Sequence, residues 1–225
     1  MANITVSTDV DALLKSANNA AARDSLGVIE YPFTTDFISG VEQTRDLTTI
    51  TSSSGFYQNT NLTSVYIGSN VTSIGSESFF NSTNLTSVIL GNNVTSLGQY
   101  CLRSIGITSI NIPDSVTSIG YGAFDGTPLT SVTFGVSSGL TAISGNAFYA
   151  TPLTSFTIPA SVTSIAYYAF AYNNSLSRVE CLALTPPTVS SGAFYSTAAL
   201  TEIHVPAAAT GYGATLGGLT VVADL

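Results

Sequence analysis

The feature that most constrains this chain is a short motif that recurs from Leu62 onward. It begins seven segments at intervals of 22 to 24 residues, at Leu62, Leu85, Ile107, Leu129, Leu153, Leu176 and Leu200. Each segment is apolar at relative positions 1, 4 and 6, as in Leu62, Val65 and Ile67. This spacing is typical of a strand that buries one side. Self-similarity at such a period predicts a solenoid, in which each unit covers the apolar edge of the next.

A second apolar pair follows in the units, as in Val71 and Ile74 or Val116 and Ile119, usually just after a Gly or Pro has turned the chain. Each unit is therefore predicted to contain two short strands. Strands stacked in parallel at about 4.8 Å would give seven coils a length of roughly 35 Å. The expected fold class is mainly β.

A small residue followed by Phe, or by Leu in one unit, comes four residues after the second strand. We expect a helical turn here, with the large side chain filling the coil and the rings of successive coils forming one internal column. The predicted column contains Phe56, Phe79, Leu102, Phe124, Phe148, Phe170 and Phe194. Residues 47–50 and Phe56 match only the second half of a unit, so the array is expected to begin with a half coil.

The run from Ile107 to Phe124, ITSINIPDSVTSIGYGAF, resembles the repeat unit of the BspA-like class of leucine-rich repeats. The resemblance covers roughly residues 47–206. It implies a leucine-rich-repeat solenoid of the kind found in surface adhesion and host-contact proteins, and it brings no conserved catalytic chemistry with it.

Charge is scarce and unevenly distributed. Only 8% of the residues are charged and the formal net charge is −8. Seven of the 13 acidic residues and three of the five basic residues lie in residues 1–46. This shift predicts an N-terminal helical attachment or capping segment with a linker (1–46), the solenoid (47–206) and a C-terminal cap (207–225). The acidic balance argues against nucleic acid as a partner, and no apolar run reaches the ~18 residues of a membrane span.

Residues 9–27 are predicted to form a helix, with Thr8 as its N-cap and Gly27 as its stop. The stretch LLKSANNAAARDSLGV, which ends at Val28, resembles a segment of bacteriophage tail-fibre and related virion appendage proteins. The resemblance implies attachment to other virion proteins or to copies of the same chain, often as a trimer. The candidate attachment residues are Leu13, Leu14, Ala17, Ala21 and Leu26. An ordinary cap helix over the first coil is the alternative.

The N-terminal residues also lack the basic and long apolar stretches of a secretion signal. We therefore expect the chain to be released into the cytoplasm of the cell that makes it. Assembly into a virion requires no export, so this expectation favours the appendage over a secreted adhesin.

Catalysis has little support in the sequence. His204 is the only histidine, and apart from Asp9 and Asp11 at the start of the predicted helix no two acids lie within one turn. We therefore predict a non-enzymatic chain with no cofactor and no metal. Cys101 and Cys181 occupy core positions about four coils apart, too far for a disulfide.

Two surfaces are candidates for binding. The repeat register places Arg178 level with Glu202 and Glu180 level with His204, which predicts a polar patch near the C-terminal end. That patch is either a recognition site for a sugar or host protein, or a set of surface pairs that completes the last coils. Elsewhere the outer strand face is neutral and includes Tyr66.

Several tyrosines fall near the Phe turns: Tyr121, Tyr149, Tyr167, Tyr168, Tyr172 and Tyr195. A neutral face with aromatic rings could bind carbohydrate by stacking and hydrogen bonding. Solvation and packing between coils is the alternative.

Three functions are compatible with these observations. The first is a bacteriophage structural protein, such as a tail-fibre, head-fibre or decoration appendage located on the virion, whose solenoid projects toward a host surface or carbohydrate. The alternative is a cellular BspA-like adhesion or protein-interaction module at the cell surface. A carbohydrate-active enzyme is the weakest, because the sequence supplies no acid pair for it.

Overall fold

A computed structural model describes residues 28–31, 36–38, 41–43, 49–51, 56–68 and 70–225 of the chain. The predicted helix 9–27, with its candidate attachment residues Leu13, Leu14, Ala17, Ala21 and Leu26, lies outside the described residues.

The described chain contains 19 strands, most of which fall into a longer and a shorter series. The longer strands are β1 (Val28–Tyr31), β5 (Ser64–Ile67), β7 (Ser87–Ile89), β9 (Ser109–Ile112), β11 (Ser131–Phe134), β13 (Ser155–Ile158), β15 (Arg178–Cys181), β17 (Glu202–Val205) and β19 (Leu219–Ala223). The shorter strands are β4 (Thr49–Ile50), β6 (Ser73–Ile74), β8 (Ser96–Leu97), β10 (Ser118–Ile119), β12 (Ala142–Ile143), β14 (Ser164–Ile165) and β16 (Thr188–Val189). The remaining three are β2 (Asp36–Ile38), β3 (Val41–Gln43) and β18 (Thr215–Leu216).

Both series stack in parallel, with one strand of each in the seven coils whose longer strands run from β1 to β15. The shorter strands form a seven-stranded sheet in chain order from β4 to β16. The longer strands pair in the runs β1-β5-β7, β9-β11 and β13-β15-β17-β19. Equivalent residues lie side by side, as in Val65 beside Val88 and Ile110 beside Val132. The predicted mainly β solenoid of about seven coils, with two strands per unit, is confirmed.

The third side of each coil is a run of turns, and the predicted helical turn is wrong for the described residues, in which no helix occurs. Hydrogen bonds alternate along it: Ala123 N–H donates to the Gly120 carbonyl at 3.2 Å, whereas Phe124 N–H donates to Ala147 of the next coil at 2.9 Å. Two residues per turn run adopt positive φ, as at Tyr168 and Tyr172. Every second N–H of these runs donates to the next coil instead of to its own, so a third intercoil ladder takes the place of a helix.

The core is a continuous apolar column that runs through the coils. Consecutive rings stack at centroid distances of 5.1 to 5.5 Å and interplanar angles of 6 to 14°, in the pairs Phe56–Phe79, Phe124–Phe148, Phe148–Phe170 and Phe170–Phe194. Leu102 occupies the coil between Phe79 and Phe124 and is fully buried. Small residues such as Ala123 and Ala147 are also fully buried, which allows the coil backbones to approach closely.

The first coil is more complete than the repeat pattern predicts. β1 pairs in parallel with β5, so that Ile29 lies beside Val65 and Tyr31 beside Ile67. β1 therefore supplies the long strand of the coil to which β4 belongs, and the expected half coil is corrected to a coil with both strands. Between these two strands the chain inserts residues 32–48, which include the antiparallel pair β2 and β3.

At the other end a hairpin continues the long-strand sheet. β19 pairs in parallel with β17, and β18 then pairs antiparallel with β19 as the edge strand. The sequence predicts a last strand over Leu219–Val222, and the structure extends it by one residue and adds β18. The Tyr212 hydroxyl donates to the Ala183 carbonyl at 3.0 Å, which fastens the segment before the hairpin to the preceding coil.

Both cysteines are fully buried free thiols, in agreement with their predicted core positions. In the described part of the chain, no helix is long and apolar enough to cross a membrane.

Candidate functional site

The polar patch near the C-terminal end is a hydrogen-bonded chain of four side chains, Glu180, Arg178, His204 and Asp224, which we term the charge cluster. Arg178 Nε donates to Glu180 Oε1 at 2.9 Å. Arg178 Nη1 lies 3.2 Å from His204 Nε2, and His204 Nδ1 lies 2.9 Å from Asp224 Oδ1. Parallel pairing of β15, β17 and β19 positions the cluster, because it brings Glu180 beside His204 and the end of β19 beside β17.

The hydrogen-bond donors in the cluster determine which imidazole nitrogen of His204 accepts and which donates. Arginine can only donate hydrogen bonds, so His204 Nε2 must accept the one from Arg178. His204 Nδ1 then carries a proton and donates a hydrogen bond to Asp224. A general base needs a free lone pair, and Arg178 occupies the one on Nε2. The cluster is therefore a hydrogen-bonded network built on the Arg178–Glu180 ion pair.

Three of the five predicted binding residues meet in the charge cluster and two do not. Arg178 turns toward Glu180 and His204, while Glu202 lies in register with Thr220 of β19. Tyr66 is half-buried on β5, five long strands away, at about 24 Å by the usual strand spacing. Asp224 was not found from the sequence, because it follows the last repeat and no register assigns it a neighbour.

A second surface lies over the turn runs and consists of six tyrosines, Tyr121, Tyr149, Tyr167, Tyr168, Tyr172 and Tyr195, which we term the tyrosine belt. Four of the six are exposed by 42 to 51%: Tyr121, Tyr167, Tyr172 and Tyr195. Tyr149 and Tyr195 directly follow column rings, so they face outward where Phe148 and Phe194 face inward. The exposed tyrosines form an aromatic patch on this side of the solenoid, whereas single exposed aromatic residues need no explanation.

The rings of the belt contact one another across coils. Tyr149 lies 5.2 Å from Tyr172, which lies 5.6 Å from Tyr195, and both pairs are steeply inclined. Tyr167 and Tyr168 stack on each other at 3.8 Å, and Tyr168 lies 5.6 Å from Tyr195. Five of the six rings thus form one connected group over three coils, and the ring of Tyr121 contacts Tyr100 outside the belt.

Two glycines make room for rings of the belt. A Cβ at Gly145 would lie 3.1 Å from the Tyr121 ring, and one at Gly192 would lie 3.0 Å from the Tyr167 ring. The absence of a side chain at Gly145 and Gly192 leaves room for these rings against the backbone.

Two tyrosines of the belt, Tyr149 and Tyr168, have raised pKa values. Desolvation raises the pKa of Tyr149, and the nearby Tyr172, Asp125, Tyr168 and Tyr121 raise it further. A hydrogen bond to the Tyr167 side chain is the main cause that raises the pKa of Tyr168. Tyr149 and Tyr168 therefore stay protonated at neutral pH and present neutral hydroxyl groups that can donate and accept.

Among the described residues, Arg103 is the only basic residue near these turns, and its neighbours neutralise and cover it. Arg103 Nε lies 3.0 Å from Asp125 Oδ2, as an ion pair without aligned hydrogen-bond geometry. The guanidinium carbon lies 4.9 Å from the Tyr100 ring centroid and 5.4 Å from that of Phe80. Burial raises the pKa of Asp125, and the charge of Arg103 opposes that rise. This pair neutralises its own charges and leaves the belt beside it uncharged.

Within the described ranges, no group of three or more His, Cys, Asp or Glu residues could hold a metal ion.

Comparison with known proteins identifies the repeat. The family model described as BspA type leucine rich repeat region matches in six copies, over residues 48–177 and 100–214. No curated protein sequence matches the chain significantly.

Solved structures share the fold at low sequence identity. The Pneumococcal vaccine antigen PcpA is 18% identical with a TM-score of 0.59, over 79% of this chain and 54% of that one. The chain therefore spans about half the length of that protein. A leucine rich cell surface protein from Faecalibacterium prausnitzii is 24% identical with a TM-score of 0.49, over 88% and 69% of the two chains. At these identities the likeness concerns the fold alone.

Proposed function

The chain belongs to the BspA-type leucine-rich repeat family, and from this premise we propose that it is a non-enzymatic interaction module of a cell surface, which contacts its target through the tyrosine belt. Repeat proteins of this architecture are typically binding or structural modules that use an extended outer surface. Membership of the family supports the cell-surface alternative drawn from the sequence, because the resemblance implies adhesion and host contact.

The observation that carries the proposal is the exposure of Tyr167, Tyr172 and Tyr195 in one connected group. Tyrosine supplies a large, rigid contact area with a polar end, at little cost in conformational entropy. Serine, glycine and asparagine fill the positions between the rings, as at Asn146, Gly192 and Ser196. This composition is typical of surfaces that bind other molecules.

Binding without catalysis is supported by the state of the charge cluster. Its histidine is engaged on both ring nitrogens, by Arg178 and by Asp224. The exposed Arg178–Glu180 ion pair contributes under about 1 kcal/mol and needs no ligand to explain it. We therefore assign the cluster to completion of the last coils and the binding role to the belt.

A cell-binding assay tests the assignment. Fluorescently labelled chain would be measured on host epithelial cells and on bacterial cells by flow cytometry. We expect the double variant Tyr172→Ala/Tyr195→Ala to lose binding and the double variant Arg178→Ala/His204→Ala to retain it. Loss in the second variant with retention in the first would transfer the function to the strand face. Absence of binding by the unaltered chain would overturn the proposal.

A virion appendage is the second candidate, favoured by the tail-fibre-like segment that ends at Val28. In that case residues 1–46, including Leu13, Leu14, Ala17, Ala21 and Leu26, would join the chain to other virion proteins or to its own copies as a homotrimer. The solenoid would then project from the particle, and the partner at its outer surface would be a host glycan or protein.

The mass of the full chain in solution distinguishes the two candidates. The appendage predicts a trimer that becomes a monomer when residues 1–27 are removed, a deletion that leaves β1 in place. A monomeric full chain would contradict the appendage and agree with the surface module.

A further inference from the structure

The chain contains an internal example of how its turn runs hold a cation. Arg103 directly follows the column residue Leu102, and its guanidinium carbon lies 4.9 Å from the Tyr100 ring centroid. The same carbon lies 5.4 Å from the ring centroid of Phe80, which belongs to the preceding coil. Asp125 of the following coil places a carboxylate oxygen 3.0 Å from Arg103 Nε. Two rings of neighbouring coils and one carboxylate therefore hold one guanidinium group.

The tyrosine belt has aromatic rings at the same two positions. Tyr149 directly follows its column ring, as Phe80 does one to three coils earlier in the array. Tyr168 precedes the column ring of the next coil by two residues, as Tyr100 precedes its column residue. Tyr100 and Tyr168 adopt φ of 53° and 60°, so the two turn runs also share this backbone conformation. The belt thus repeats the ring positions of the internal arginine site.

The arginine itself is not repeated. The residue of the belt that corresponds to Arg103 is Ala171, which is fully buried and uncharged. The turn runs that carry most of the belt, residues 144–151, 166–173 and 190–197, contain no acidic or basic residue. A cation that lies against these rings must therefore come from another molecule.

The belt offers ring faces on which such a cation can lie. Tyr172 and Tyr195 are both exposed, and their rings are inclined by 69°, so neither covers the face of the other. The rings of Tyr149 and Tyr172 are likewise inclined, by 59°. Arginine suits such faces better than lysine, because its guanidinium is planar, stacks on aromatic rings and is more weakly hydrated than an ammonium group.

Charge around the belt favours a cation. Residues 47–225 contain six acidic residues and two basic residues, and both basic residues are paired with carboxylates. Desolvation and Tyr172 raise the pKa of Tyr149, and the charge of Asp125 raises it further. A negative charge that disfavours a phenolate at Tyr149 favours a cation at the same ring. The net charge of −8 acts in the same direction at longer range.

From the internal arginine site, the matching rings without an arginine and the acidic balance, we infer that the tyrosine belt binds arginine side chains of a protein partner. The exposed faces of Tyr172 and Tyr195 are the contact surface. This inference rests on the proposed function and names the chemistry of the partner at the same surface.

Titration with short peptides tests the inference. Glycine-serine peptides that contain two arginines would be added to the full chain, and binding would be followed by nuclear magnetic resonance. The same peptides with lysine or with citrulline, which is planar but uncharged, are the comparison. We expect the arginine peptide to bind about tenfold more tightly than the citrulline peptide, and the lysine peptide to bind less tightly than the arginine peptide. Equal affinity for either substitute, or no binding of the arginine peptide, would overturn the inference.

Three variants locate the binding surface. Tyr172→Ala is expected to weaken binding of the arginine peptide about fivefold, and Tyr172→Phe much less, because it keeps the ring face. Tyr57→Ala is the matched control, because Tyr57 is similarly exposed, 41% against 42%, and lies outside the belt. Its ring stacks at 5.3 Å on Phe80, which Arg103 already contacts. Equal effects of Tyr172→Ala and Tyr57→Ala would overturn the inference.

Cell binding after modification of surface arginines separates this inference from the function on which it rests. Phenylglyoxal, which reacts with guanidinium groups, would be applied to the cells before the labelled chain is added. Loss of belt-dependent binding supports the inference, whereas its persistence means that the arginine is wrong and the interaction module stands. If the chain binds the arginine peptide but no cells, the inference stands and the proposed function is wrong. If it binds neither, both are wrong.

Discussion

At the scale of single residues, the turn runs depend on left-handed backbone that most side chains tolerate poorly. Ala150 has φ of 53°, and the equivalent residue of the preceding coil is Gly126, with φ of 65°. In each case the N–H donates to the next coil, at 2.9 Å. This conformation costs a residue with a Cβ about 1 kcal/mol relative to glycine.

We predict that Ala150→Gly raises the free energy of unfolding by about 0.5 to 1 kcal/mol, because it relieves that strain. Gly126→Ala is its mirror and should lower stability by a similar amount, since a Cβ there meets nothing closer than 3.4 Å and only the strain changes. Urea denaturation measures both. Destabilisation by Ala150→Gly would show that this residue is not left-handed.

The buried thiol of Cys101 gives a second prediction at this scale. Burial raises the pKa of Cys101 to about 12. At pH 8 roughly one molecule in ten thousand would carry the reactive thiolate, because the pH lies about four units below that pKa. We expect no alkylation of Cys101 by iodoacetamide in the folded chain and full alkylation in urea, as measured by mass spectrometry. Rapid labelling of the folded chain at pH 8 would contradict its place in the core.

At the scale of elements, each coil is held by its neighbours rather than by its own contacts. The Phe148 ring stacks on Phe124 and Phe170 and also contacts Phe156 at 5.0 Å. A cavity at this position would remove packing on both sides of the coil at once. In a linear array, that weakens the coupling between the coils before it and those after it.

We therefore predict that Phe148→Ala costs about 3 to 5 kcal/mol and broadens or splits the unfolding transition. Tyr172→Ala, which removes an exposed ring one coil away, should cost less than about 1 kcal/mol and leave the transition sharp. Circular dichroism during denaturation compares the two. Equal losses would mean that the rings of the column are no better packed than those of the belt.

Elements inside the repeat could be predicted from the sequence, and those outside it could not. Positions 1, 4 and 6 of each unit locate the long strands, because burial alternates along a strand and each strand repeats the last. β1 was missed because residues 32–48 separate it from the rest of its coil and VIEY does not carry the motif. The alternating turns were misread because residues such as Tyr168 and Tyr172 adopt the positive φ expected of glycine.

Part of the charge cluster could be predicted from the sequence, because the repeat register determines which residues of β15 and β17 are neighbours. Register alone places Glu180 beside His204, and the structure agrees. The partners of Arg178 depend on side-chain geometry, which the register does not specify. Arg178 contacts Glu180 on its own strand and the diagonal His204, and not Glu202. Asp224 enters the cluster through the hairpin after the last repeat, where no periodicity applies.

At the scale of the whole molecule, the stacked coils bury their apolar residues in one shared column, and the recognition that we propose uses the outer surface. The turn side carries the tyrosine belt and the strand side carries the charge cluster, so the two surfaces can be altered independently. Family membership fixes the architecture, whereas the ligand depends on which outer residues this chain places on it.

The most direct test of the account is oxidative footprinting of the full chain bound to its target cells, with mass spectrometry to measure the protection of each side chain. We predict strong protection of Tyr172 and Tyr195 on binding, with Tyr57, Tyr66 and His204 oxidised as in the free chain. Protection of His204 and Tyr66 with an unchanged tyrosine belt would contradict the account.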